Sequence, residues 1–309
     1  MEADAGPVPV ALKQFSDRLS PVFVRDLRQG LRAHYLVWAF ILFQVVGLLA
    51  TLLEVSFKSF FDASAGGIPF AALLQVAFAF GFGLILPLTQ FAALQSEIGV
   101  GRNVELLLAS TLTRWQIVWG KFLVAGSLSG LLLISLLPYL LLRYFLGGVE
   151  LMAIGGLVAS TYLGNLVMNS IVIGASGYRN PVGRVAVIVY FYLIYLFTML
   201  GGMNSLFLRG VLSGGVFFSL LAYVIASAVM ISLTLQLGRA RLKLFEDPLD
   251  PPSAAGVFAI AFLIPVSNGI AMAIGGGIAS CLILGLSLWL ILMIDRGPGR
   301  HFEGRGLQP

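Results

Sequence analysis

Long runs of apolar residues, separated by short polar or basic stretches, set the pattern of this chain. Eight runs are long enough to cross a bilayer, which takes roughly 17–25 helical residues. They cover 36–53, 70–94, 117–142, 151–175, 182–200, 211–237, 254–270 and 275–294. Inside hydrocarbon each backbone amide needs a partner within the protein, so these runs are expected to be helices. Pro87 and Pro138 fall inside the second and third runs and are expected to kink them without ending them. The seventh run is the shortest and contains Pro265.

Composition points the same way. Of 309 residues, 59% are hydrophobic and 11% are charged, with a mean hydropathy of +0.97. A soluble domain carries about a quarter charged residues, so too few charges remain here to cover a globule, and lipid must solvate much of the surface. The 36 glycines fit, because small residues let membrane helices approach closely. The expected fold is all-α, a polytopic transmembrane helical bundle of about eight spans.

The basic residues give the expected orientation, since lysine and arginine gather on the cytoplasmic side. Sixteen of the 19 fall on the two termini, the loops 95–116, 176–181 and 238–253, and the adjoining span ends. Only Lys58, Arg143 and Arg209 fall on the opposite set. Dropping one span would mix the two sets, so the asymmetry supports both the count and cytoplasmic termini. No cleavable signal peptide is expected, because residues 1–34 are polar and basic without a short apolar core. The same scatter of charge over five separate edges, with no aromatic-interleaved patch, argues against nucleic acid as a partner.

Three places carry candidate function. The first is 20–35, SPVFVRDLRQGLRAHY. Ser20 and Pro21 suit a helix start. Phe23, Leu27 and Leu31 share one face, while Arg25, Arg28 and Arg32 recur at helical spacing. That pattern predicts an amphipathic helix lying at the lipid surface, with the arginines as interfacial anchors. An ordinary basic flank of the first span is the alternative. The second place is the loop 95–116, QSEIGVGRNVELLLASTLTRWQ. Asn103 suits a helix cap and Glu105 the positive first turn. Leu106, Leu107 and Leu108 form a run too short to span and too apolar to stay solvated. Such a helix docks either on its own protein or on a partner.

The third place is the set of amides within spans. Asn165 and Asn169 lie four apart on the fourth run, and Gln44, Gln75, Gln90 and Asn268 are scattered elsewhere. Interhelical hydrogen bonding is the simpler reading, and a translocation path the alternative. Gly126 and Gly130, like Gly210 and Gly214, have the spacing of close helix contacts.

Absences narrow the function further. Cys281 is the single cysteine and His34 and His301 the only histidines, which leaves no cysteine cluster for a metal and no intramolecular disulfide. The chain has no phosphate-binding G-x-x-x-x-G-K-[ST] loop, no H-E-x-x-H and no G-x-S-x-G, so no enzyme or cofactor site is nominated. No Asp or Glu falls at an expected midplane, which removes the commonest signature of ion-coupled transport.

The loop and its neighbours carry a resemblance. An amphipathic SPVFVRDLRQ helix, two spans, ELLLASTLTRWQIVWGK, a third span and a later GASGYRNPVGR loop follow in order. This resembles the permease subunit of ATP-binding-cassette exporters of the type-2 class, over roughly 20–243. Matching positions are Glu105, Leu106, Leu107, Leu108, Ala109, Ser110, Leu112, Thr113, Arg114, Ile117, Gly120 and Lys121, while Thr111 stands where the family often has proline. The resemblance implies a six-span permease core and a coupling helix, with Asn103, Glu105 and Leu106–Leu108 meeting separate ATPase subunits. It further implies a homodimer or heterodimer of permeases in the plasma membrane. The chain then divides into a flexible N-terminus (1–19), an interfacial helix (20–35), the permease core (36–243) containing the coupling loop 95–116, a linker (244–253), a C-terminal two-span hairpin (254–294) and a tail (295–309). An assembly factor, a membrane enzyme without an ATPase partner and a secondary transporter are the alternatives.

Overall fold

The structure, a computed structural model, describes residues 21–60, 80–95, 114–145, 151–209, 215–241 and 254–295. In chain order these form α1 (Pro21–Leu31), α2 (His34–Phe60), a π-helical turn (Gly81–Ile85) leading into the single turn α3 (Leu86–Leu88), α4 (Arg114–Phe145), α5 (Leu151–Ser176), α6 (Pro181–Arg209), α7 (Gly215–Arg241) and α8 (Ala254–Asp295). No strand occurs among the described residues.

The stretches His34–Leu52, Arg114–Leu142, Val158–Ser176 and Leu221–Ala240 are long and apolar enough to cross a membrane. At 1.5 Å per residue, 19 residues reach about 28 Å, close to the ~30 Å hydrocarbon core. Shorter apolar helices, Pro181–Phe197, Ile260–Ala271 and Ile278–Leu292, accompany them. Outward positions are apolar too: Trp38, Ile134 and Leu282 are exposed, as residues facing lipid are. The chain is a multi-pass helical membrane protein.

Several helices run beyond the apolar stretches that seed them. α2 continues to Phe60, α6 to Arg209, and α4 to Phe145 with Pro138 inside it. The larger departure lies in the second apolar run, where the described part is not a uniform helix. The Leu86 N–H reaches back five residues to the Gly81 carbonyl. Beyond α3 the winding tightens: Thr89, Gln90, Phe91 and Ala93 each donate three residues back, at 2.9–3.1 Å. The physical reason is Pro87, which has no N–H, so an α-register ladder must fail at the Gly83 carbonyl four residues earlier. Gly81 lets the wide turn press on α2, because a β-carbon there would meet the Phe43 ring at 2.2 Å.

α8 is helical from Ala254 to Asp295 but cannot be straight. Twelve residues of straight helix cover about 18 Å. Yet the Ser280 hydroxyl donates to the Asn268 Oδ1, twelve residues away. Cys281 meets the Phe218 carbonyl near the start of α7 at 3.2 Å, and Gln236 near its end reaches the Ile291 carbonyl at 3.2 Å. The chain therefore turns back between Asn268 and Ser280. Val257, Ala261 and Ile264 from one limb, and Leu284 and Ile291 from the other, share a core with α5, α6 and α7. A second core joins α2, the π-turn and α4, and a third gathers Leu94, Ile117, Val118, Phe122, Ile173 and Leu235.

Two close crossings hold these layers. Gly126 and Gly130 of α4 face Leu166 and Tyr162 of α5, and the Tyr162 hydroxyl donates to the Gly126 carbonyl at 3.2 Å. At the α5–α7 crossing, a β-carbon on Gly174 would stand 2.2 Å from the Thr234 backbone oxygen, and Thr234 Oγ1 bonds Ser170 Oγ at 2.9 Å beside it. Backbone cannot swing aside as a flexible side chain can. Gly174→Ala should therefore destabilise the protein by about 1–3 kcal/mol, read as a lower unfolding midpoint in detergent. Gly155→Ala, which meets nothing within 4 Å, should leave that midpoint unchanged or raise it. Equal midpoints for the two variants would contradict the crossing.

Candidate functional site

The proposed coupling residues Asn103, Glu105, Leu106, Leu107 and Leu108 lie outside the described residues. The two roots of their loop, Gln95 and Arg114, lie within them, and those roots define the site.

The departing root is held by Arg184. Asn180 Oδ1 accepts from the Val182 N–H at 3.0 Å and, with Pro181 next, starts α6. One turn in, Arg184 points back across the end of the second apolar run and is only 5% exposed. Its Nε donates to the Tyr178 carbonyl at 2.7 Å. Nη1 donates to the Phe91 carbonyl at 3.3 Å, and Nη2 to the Arg179 carbonyl at 3.3 Å and to the Gln95 Oε1. The guanidinium also lies 5.1 Å from the centre of the Phe91 ring. A planar fork with five donors suits this task, since its acceptors sit on two separate segments. A second tie lies beside it: the buried Ser176 hydroxyl accepts from the Leu94 N–H at 3.0 Å while donating to the Ile173 carbonyl.

The returning root begins α4. Trp115 stacks on Trp119 at 5.9 Å, and Trp119 meets Phe122 at 5.1 Å. Ile117 and Val118 pack with Leu94, so departing and returning chain share one apolar cluster. One turn further, Lys121 Nζ lies 2.7 Å from Asp26 Oδ2 on α1. Asp26 is 9% exposed and also takes the Arg25 guanidinium at 2.9 Å. This pair docks α1 against α4, and Gly30 of α1 sits against Leu128. Arg25, Arg28 and Arg32 are exposed on the other faces of α1 and its following turn.

Asn165 and Asn169 are brought together, but they are buried at 1% exposure each. Asn169 Nδ2 donates to Asn165 Oδ1 at 2.9 Å and to Ser129 Oγ at 3.3 Å, and Asn165 Nδ2 donates to the Phe82 carbonyl at 2.6 Å. The result is a polar chain from α4 through α5 to the π-turn. Gln44 does similar work between α2 and α4, bonding Ser135 Oγ at 3.0 Å.

Asp26 and Arg184 were not singled out by sequence reasoning. Asp26 could have been: it is the one acidic residue among the basic residues of 20–35. Arg184 carried only the weak signal of a cation just inside a helix start. Neither a family model nor a curated protein matches this chain.

Replacing Arg184 by methionine should cost about 3 kcal/mol, because charge-assisted bonds are worth about 1.5–3 kcal/mol and several go at once. Arg184→Lys should rescue only part of that loss, since one ammonium cannot reach acceptors on both segments. Chemical or thermal unfolding in detergent measures both. A lysine variant as stable as the parent would show that the fork geometry is immaterial.

Proposed function

We propose that this chain is the membrane-spanning permease subunit of an ATP-driven exporter, coupled to separate ATPase subunits through a short helix in 96–113. The observation that carries the proposal is the anchoring of that loop at both roots. The departing root is tied to the α5–α6 turn by Arg184 and Ser176. The returning root is tied to α1 by Lys121 and Asp26. A loop hung from such roots passes a push on to α4, α5 and α6 instead of absorbing it. The resemblance of Glu105–Leu108 and Arg114–Lys121 to the type-2 exporter pattern supports the same reading.

On this proposal Leu107 and Leu108 fill an apolar groove of the ATPase and Glu105 sits at the rim. Arg25, Arg28 and Arg32 hold α1 to anionic lipid. Two permeases form the translocating unit, with about eight spans each and both termini in the cytoplasm, in the plasma membrane. Energy enters from the partner, consistent with the absence of a phosphate-binding loop in the chain.

Leu107→Asp with Leu108→Asp should abolish co-purification of the ATPase and the vanadate-sensitive hydrolysis that accompanies it. Two buried leucines contribute about 3–6 kcal/mol, so affinity should fall by a hundredfold or more, to about the level of background. Membrane insertion should be unchanged. Retained ATPase binding by that variant would defeat the assignment.

A further inference from the structure

We propose that the segment from Gly81 to Gln95 is a two-register hinge, a stretch that exchanges its wide-then-tight winding for continuous α-helix while both ends stay clamped. The Phe82 carbonyl is the switching point. Its α-register donor, the Leu86 N–H, is given to Gly81, and its π-register donor would be residue 87, a proline without an N–H. Asn165 Nδ2 supplies the missing bond at 2.6 Å. In an α register the Leu86 N–H returns to Phe82, and that carbonyl no longer needs Asn165. One N–H, that of Leu86, thus chooses between the Gly81 and Phe82 carbonyls, and the two registers exclude each other.

Neither register satisfies everything. The α register leaves the Gly83 carbonyl opposite Pro87 without a helical donor, and the π register leaves the Phe82 carbonyl without one. In the π register the Phe82 carbonyl is bonded only while Asn165 stays in place. Such an offset of similar losses is what a bistable element requires.

Winding makes the exchange compatible with fixed ends. The π-turn is underwound, whereas the turns that follow, with donors three residues back, are overwound relative to 3.6 residues per turn. Converting both to α-helix cancels most of the change in twist. Phe91–Gln95 can then stay under Arg184 and Ser176 while the residues between rotate. Leu84, Ile85 and Leu88 are exposed at 42–47%, whereas Phe82 and Leu86 lie in the second core, so the exchange repacks that one side alone. A β-carbon at Gly83 would meet nothing within 4 Å. The hinge ends where the coupling loop begins. Its use in transport rests on the proposed ATPase coupling, but the register itself does not, so the two fail separately.

The test uses the full chain with Cys281→Ala, carrying spin labels on cysteines at Leu88 and Val224, in lipid nanodiscs. Pro87→Ala restores the N–H opposite Gly83 and removes no bonding partner. It should shift the label distance by up to about 7 Å, the sweep of a quarter turn at the helix surface. Asn165→Leu, which removes the donor that satisfies Phe82 in the π register, should shift it in the same direction. Ser135→Ala, which cuts a polar tie elsewhere in the bundle, should leave it unchanged. An unchanged distance in Pro87→Ala overturns the proposal even if Asn165→Leu fails to fold, and so does an equal shift in Ser135→Ala.

Discussion

A polar group in hydrocarbon has no water to fall back on, and the architecture depends on how that constraint is met at one carbonyl. Pro87 removes a donor from the second apolar run, and the wide turn before it leaves Phe82 O without a helical partner. Asn165 meets that carbonyl from the neighbouring helix, Asn169 orients Asn165, and Ser129 receives Asn169. Bonds of this kind contribute about 0.6 kcal/mol each, up to about 1.7, when measured between membrane helices. The geometric consequence exceeds that energy. The irregular run is held against α5 at its middle, and its end is delivered to Arg184.

The same logic runs through the rest of the bundle. Gln44 with Ser135, Gln236 with Ile291, and Asn268 with Ser280 each join helices or helix limbs where apolar packing alone would leave register free. Close glycine contacts at Gly126 and Gly174 bring backbones near enough for these short side chains to reach. The charged groups Arg184 and Asp26 are confined to the end where the loop 96–113 departs and returns.

Apolar length is a local property, and so the positions of the described helices, the irregular second run apart, were legible in the residues. The buried amides were legible as well, because an asparagine in a span must find a partner. The identity of each partner was not. Asn165 and Phe82 are 83 residues apart, and nothing near either one names the other. Pro87 announced a kink, but the π-turn before it depends on Phe43 packing against Gly81 from another helix. Arg184 read as one more basic residue on an edge; its burial arises only when the second run and the α5–α6 turn meet. Asp26 was hidden by the arginines around it, whose spacing drew attention to lipid instead of to Lys121. The leucines of the proposed coupling loop lie outside the described residues, and their proposed role stands on pattern and on the anchoring of the loop's roots.

On the proposed function, a rigidly rooted loop would serve as the handle through which a separate ATPase moves the helices. Electron cryomicroscopy of the chain co-purified with its ATPase and trapped with vanadate tests this most directly. The account predicts Leu107 and Leu108 seated in a groove of the ATPase, with Arg184 still bridging to Phe91 and Gln95. A map in which those leucines fold against the chain's own helices, with no ATPase attached, would contradict it.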